Sequence, residues 1–205
     1  MKQHAVFLNC SLKSSEELSN TQALMDEVAQ RFERRQITCE HVRIVDYQVG
    51  YGITDNAGPE DEWPKIIEKL KDADIVIIGT PIWLGEKSSV SKKVLERMDG
   101  SQEITNKEGQ PFFYNKVAGV VVTGNEDGAK NAISSILFGL SYLGYTVPPE
   151  SYTYWLGEAG PGPSFIEAEG HQHAFTMNQV KKMVHNLSYF ASLHAEHKIP
   201  PTENE

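Results

Sequence analysis

Residues 75–89, IVIIGTPIWLGEKSS, carry the pattern that decides the fold. Ile75 to Gly79 run without a polar interruption, as a strand buried on both faces does. Thr80, Pro81 and Gly85 then lead into a serine-rich helix start. A strand buried on both faces belongs in a parallel sheet, whose crossover helices cover both sides. Burial does not require Trp83 in the turn. Two readings fit Trp83 and Leu84: one wall for a flat heterocycle, or packing beneath a neighbouring loop.

Outward from this stretch the alternation repeats. Residues 5–10, AVFLNC, form a first apolar strand, and residues 19–35 place Leu24, Met25, Val28, Ala29 and Phe32 at helical spacing behind Ser19, Asn20 or Thr21 as N-cap. TCEHVRIV (38–45) is a second strand. A helix from Pro59 through EDEWPKIIEKLKDA (60–73) presents a solvated charged face and precedes the third strand. SVSKKVLERMDG (89–100) is a helix ending at Gly100, KVAGVVVTG (116–124) a fourth strand, and a further helix begins near Asp127. GYTVPP (144–149) reads as a short fifth strand that residues 151–155 extend, and residues 178–197 as the last helix. Right-handed crossovers and five strands favour an α/β, flavodoxin-like, doubly wound parallel sheet of order 2-1-3-4-5 with helices on both faces. One domain is expected over residues 1–197, with a loose C-terminal tail at 198–205.

Nineteen Lys and Arg against 28 Asp and Glu give a net charge of −9, which opposes approach to nucleic acid or an anionic bilayer. The opening MKQHAVFLNC is too short in its apolar run for a signal peptide, and a cytoplasmic location is expected. Cys10 and Cys39 are too few for a disulfide scaffold or a zinc site, and reduced thiols are expected. His171 with His173, and His194 with His197, lack the carboxylate or cysteine framework of a metal site, so exposed histidines and no metal are expected.

In a sheet of this order ligands sit beyond the carboxyl ends of the strands, where the order reverses. Three loops fall there. The first holds Ser11, Lys13, Ser14, Ser15, Ser19, Asn20 and Thr21 at a helix entrance, where free N–H groups and hydroxyls suit a phosphate or simply cap the helix. It has no Walker sequence and no G-x-G-x-x-G. In the second, Gly85 permits a sharp turn or close approach to a ligand. In the third, TGNEDG (123–128), Asn125 offers donor and acceptor to a ring edge, or caps the following helix.

Ser11-Leu12-Lys13 followed by Ser19-Asn20-Thr21 resembles the phosphate loop, commonly G-S-P-R then G-N-T, of the flavodoxin-like NAD(P)H-dependent FMN reductase superfamily. Residues 80–85 resemble its T-P-x-Y/W-x-G loop. GTPIWLGEKSSV, VTGNEDG and GEAGPGPS together are similar to its flavodoxin family protein branch. Cys10 stands where that loop usually has glycine, and the compact cysteine cluster of the iron-sulfur flavoproteins is missing after strand two. The resemblance implies FMN, with its phosphate on Ser11, Lys13, Ser19, Asn20 and Thr21. Its ring and ribityl chain would lie against Pro81, Ile82, Trp83, Leu84 and Gly85 and against Thr123, Gly124, Asn125 and Gly128. It implies an oxidoreductase passing electrons from NAD(P)H through FMN to a small acceptor such as a quinone or flavin. The alternative is a flavodoxin-type electron carrier that docks to protein partners. No side chain is nominated as a catalyst, because the flavin carries the redox chemistry. A homodimer is expected, with Trp155 and Glu158 of the WLGEAGPGPS loop lining the substrate side or an interface.

Overall fold

The apolar run at 75–79 becomes the centre of a parallel sheet. The computed structural model describes residues 3–202. Strands β1 (His4–Asn9), β2 (Thr38–Arg43), β3 (Ile75–Trp83), β5 (Val117–Gly124) and β6 (Tyr152–Leu156) lie in the order β2-β1-β3-β5-β6, all parallel. This is the expected doubly wound order, with one addition. β3 runs on past Pro81 and turns back through the two-residue antiparallel strand β4 (Glu86–Lys87). Pro81 is tolerated because β1 has already ended: the β1–β3 register stops at Asn9 with Gly79, whereas β3–β5 continues to Pro81 with Thr123.

Helices α1 (Asn20–Glu33) and α5 (Ala174–Glu196) cover one face, and α2 (Trp63–Asp72), α3 (Ser89–Asp99) and α4 (Ala129–Leu143) the other. Alternate β-strand residues feed the two cores: Val6, Leu8, Val76 and Ile78 pack toward α2–α4, and Ala5, Phe7, Ile75 and Ile77 toward α1 and α5. Gly79 draws α1 down onto the sheet, since a Cβ there would stand 2.2 Å from Met25 Sδ and 3.0 Å from Thr21 Cγ2. That close approach fixes the N-terminus of α1 over the ends of β1 and β3.

Several expected boundaries shift for local reasons. Residues 144–149 make only a single bridge, Val117 with Thr146, and the last strand is Tyr152–Leu156 instead. Pro148 and Pro149 have no N–H to give a ladder. α2 begins at Trp63 rather than near Pro59, and its face is not merely solvated: Trp63, Ile66, Ile67 and Leu70 are buried, as is the side chain of Asp61 just before it. His194 is buried too and bonds the Thr146 hydroxyl at 2.7 Å, whereas His171, His173 and His197 are exposed. Of the expected tail, Ile199 N–H donates to Asn115 Oδ1 at 2.6 Å and Lys198 pairs with Glu108 at 3.0 Å; residues 203–205 lie outside the described residues. Cys10 and Cys39 are free. Among the described residues no helix is long and apolar enough to cross a membrane.

Candidate functional site

The three loops meet at the carboxyl edge of β1, β3 and β5 and are fastened to one another. Ser88, the fully buried N-cap of α3, accepts from Ser91 N–H at 3.1 Å and donates its hydroxyl to the Cys10 carbonyl at 2.7 Å. Its own N–H donates to Thr80 Oγ1 at 3.0 Å. The Thr21 and Thr123 hydroxyls share a hydrogen bond of 2.9 Å, which joins the first turn of α1 to the end of β5. Between the second and third loops the joint is backbone against backbone: a Cβ on Gly128, whose φ is +120°, would lie 2.3 Å from the Gly85 carbonyl oxygen. Asn131 Nδ2 donates to that same oxygen at 3.0 Å, and Leu84 N–H to Glu126 Oε1 at 3.1 Å.

A cleft of about 520 Å³ opens between them, within the roughly 300–1,000 Å³ range of small-molecule sites. Ser11, Lys13, Ser19, Asn20 and Thr21 form one end, Pro81, Ile82 and Trp83 one side, and Thr123, Gly124 and Asn125 the other. Trp83 is 54% exposed, so it is cleft wall and not packing beneath a loop. Leu84, Gly85 and Gly128 do not line the cleft. Leu84 (φ +53°) and Gly85 (φ +76°) are the two left-handed residues of the β3–β4 hairpin turn, and Leu84 at its tip is 96% exposed. Gly128 gives room to the Gly85 backbone, whereas Gly85 answers to its positive φ in the turn, since a Cβ there would meet only the Asp127 carbonyl oxygen at 3.9 Å.

At the polar end the donors are unspent. Ser11 Oγ is buried with no hydrogen-bond partner. The N–H groups of Leu12, Lys13, Ser14, Asn20 and Thr21 have no acceptor among the described residues. Ser19 caps α1 by accepting from Gln22 N–H at 3.2 Å, which leaves its O–H to donate, and Lys13 Nζ is the exception, donating to the Leu18 carbonyl at 3.3 Å. Free N–H groups at a helix start, with a lysine and an orphaned hydroxyl beside them, fit a phosphate monoester. A buried polar atom without a partner costs about 1–3 kcal/mol. Ser11→Ala is therefore expected to leave the ligand-free protein as stable as before or more so, while weakening FMN about tenfold; thermal denaturation and a flavin titration check the two halves separately.

The rest of the lining was only partly foreseeable. Leu12, Glu126, Gly160 and Phe165 also line the cleft, together with Trp155. Trp155 stacks edge-on against Phe165 at 5.7 Å. Phe165 is 3% exposed and had no local signal, because it lies in a loop placed by its contact with Trp155 and by the bond of the next residue, Ile166, to Asn20, 146 residues away. Two of the expected flavin contacts, Asn125 and Asn20, also hold this loop. Asn125 Nδ2 donates to the Gly162 and Pro163 carbonyls at 3.0 and 2.9 Å, so its amide donors are not free for a ring edge. Asn20 Oδ1 accepts from Ile166 N–H at 3.0 Å. Lys13 and Glu126 are the ionisable side chains on the cleft lining, and Glu126 already accepts from Leu84.

The family model described as NADPH-dependent FMN reductase matches residues 4–158. The chain belongs to that family. FMN as cofactor and NAD(P)H as electron donor accord with this membership, as does the polar end of the cleft. This family member is 39% identical over 202 residues to the 8-demethyl-8-aminoriboflavin-5'-phosphate synthase of Streptomyces davaonensis, covering 94% of this chain and 79% of that protein. It is 36% identical over 195 residues, 92% of this chain, to the divalent metal cation transporter MntH of Mycobacterium bovis, but spans only 28% of that protein's length. Among solved structures it superposes with a TM-score of 0.88 on RosB with bound intermediate 8-demethyl-8-formylriboflavin-5'-phosphate, at 38% identity, covering 95% of this chain and 81% of RosB.

Proposed function

We propose that the protein, loaded with FMN, oxidises NAD(P)H and passes the electrons to a small acceptor such as a quinone or a second flavin. The supporting observation is the convergence of unspent phosphate donors with the Trp83 wall in one cleft at the sheet's switch point. Bound FMN would supply the two-electron chemistry. The chain's part is to bind and orient. The N–H groups of residues 12–14 and of α1, with Ser11 and Lys13, would hold the phosphate. Pro81, Ile82 and Trp83 offer an apolar flank for the ring, and the Trp155–Phe165 pair adds aromatic lining. With the cleft's ionisable side chains reduced to Lys13 and Glu126, the lining presents no histidine, cysteine or carboxylate pair for acid–base work, which suits chemistry carried by a cofactor.

Anaerobic addition of NADPH, then NADH, to the FMN-loaded protein tests this. Prompt bleaching of the flavin band, followed by turnover with a panel of quinones and flavins, is the expected result. Bound flavin that neither nicotinamide bleaches would favour the electron-carrier alternative, and absence of flavin binding would overturn both. The likeness to RosB favours a second reading, in which a flavin phosphate is itself the substrate. Mass spectrometry of the flavin recovered after turnover separates the two: an unchanged mass fits a cofactor, a changed one a substrate. The proposal includes a homodimer, supported by exposed Phe175 and Tyr189 on α5; light scattering that shows only monomer would remove it.

A further inference from the structure

We infer that Arg43 is a positioning residue that shapes the phosphate loop from behind, so that selectivity for a flavin bearing a 5'-phosphate over one without it depends on this side chain. The inference rests on the FMN reading above.

Arg43 closes β2 and pairs in register with Asn9, the last residue of β1, so it stands beside the point where the first loop departs. Its side chain turns under that loop. Nη1 donates to the carbonyls of Lys13 and Ser14, at 2.8 and 2.7 Å. A trans peptide is planar, so with the Lys13 carbonyl turned to the guanidinium the Ser14 N–H on the same peptide points the opposite way. That N–H has no acceptor among the described residues. The next one is diverted: Ser15 N–H donates to Asp46 Oδ1 at 3.1 Å. Arg43 and Asp46, about thirty residues along the chain, thereby decide which loop N–H groups stay free for an anion.

Packing alone does not account for an arginine here. The residue is 9% exposed, and its Nε is buried with no partner, a cost that an apolar residue in the same place would avoid. Arg43 does not itself line the cleft, and no contact with the flavin is assigned to it.

The test compares affinities for FMN and riboflavin in the wild type, Arg43→Met and Arg43→Lys, by fluorescence titration, with thermal denaturation as a check on folding. In Arg43→Met, FMN affinity is expected to fall about 10- to 100-fold, the scale of losing a pair of charge-assisted hydrogen bonds. Riboflavin affinity should stay within about twofold, because the rest of the cleft is unchanged, and Arg43→Lys, which keeps a donor, should recover part of the loss. A merely structural role would weaken both ligands together and leave their ratio unchanged, which overturns the inference. A wild type that binds riboflavin as tightly as FMN overturns the phosphate reading and this inference with it. Should Arg43→Met fail to fold, the same ratio in Arg43→Lys and in Asp46→Ala decides.

Discussion

Replacing Asp61 with alanine is expected to cost about 3–5 kcal/mol of folding stability. Asp61 and Arg97 form an ion pair of 2.6 Å, with side chains 2% and 0% exposed. The carboxylate also accepts from Gly50 N–H at 3.0 Å and Ala57 N–H at 2.8 Å, while Arg97 Nη1 donates to the Gly50 carbonyl at 2.9 Å. The pair thus gathers the long connection between β2 and α2. Trp63 seals it from below, its Nε1 donating to Ser101 Oγ at 3.1 Å. Alanine would leave the guanidinium buried without its counter-ion and three N–H groups, those of Gly50, Ala57 and Trp63, without this acceptor. Urea denaturation at neutral pH should show a lower midpoint with an unchanged slope.

The same carboxylate predicts an acid-sensitive term. Burial pushes its pKa up, but the backbone donors at Ala57 and Gly50 and the Arg97 guanidinium outweigh this and hold it at about 2, below the ordinary 3.8. Because the folded value lies below the unfolded one, the contribution, on the order of 2 kcal/mol, is complete above about pH 4 and is lost as pH falls through about 2. Asp61→Asn should abolish that part of the pH dependence. Urea midpoints for both proteins between pH 5 and pH 2 check it; parallel curves would show that Asp61 does not carry the term.

Gly128→Ala is expected to cost about 2–4 kcal/mol and at least tenfold in FMN affinity. At φ +120° any Cβ is strained, and here it would also stand 2.3–2.5 Å from backbone atoms of Gly85. Neither backbone can yield without shifting the hairpin that carries Trp83. Gly58→Ala supplies the control: its φ is +124°, but a Cβ there meets nothing within 4 Å. That variant should lose only the conformational part, about 1 kcal/mol, and keep its FMN affinity. Equal losses in the two would mean that contact between the loops does not matter.

The architecture was legible because it depends on patterns each strand carries within itself. Residues 75–79 and 117–122 are apolar without interruption, and a segment that must be buried on both faces can only be central in a covered parallel sheet. The phosphate end was legible for the same kind of reason: Ser11, Lys13, Asn20 and Thr21 lie within one short stretch, so the helix start and its donors are close in the chain as well as in space. Family resemblance, carried by the same loops, agreed with them.

What remained for the tertiary structure were relations between distant segments. Gly85 and Gly128 looked like residues making room for a ligand; in the fold Gly128 makes room for the Gly85 backbone and Gly85 serves a left-handed turn, because glycine permits close approach to anything and only the fold says to what. Asn125 and Asn20 looked like flavin contacts, but part of their hydrogen bonding is taken by the 157–166 loop. Asp61 sat in a charged run that read as solvated, and its burial follows from Arg97, 36 residues on. Arg43 had no local signal at all, since its partners are carbonyls, which look the same in every residue. The sequence by itself determined which strands are buried and where a ligand can enter; only the tertiary structure decided which polar groups spend their hydrogen bonds on the protein and which stay free, because that is settled by neighbours far apart in the chain.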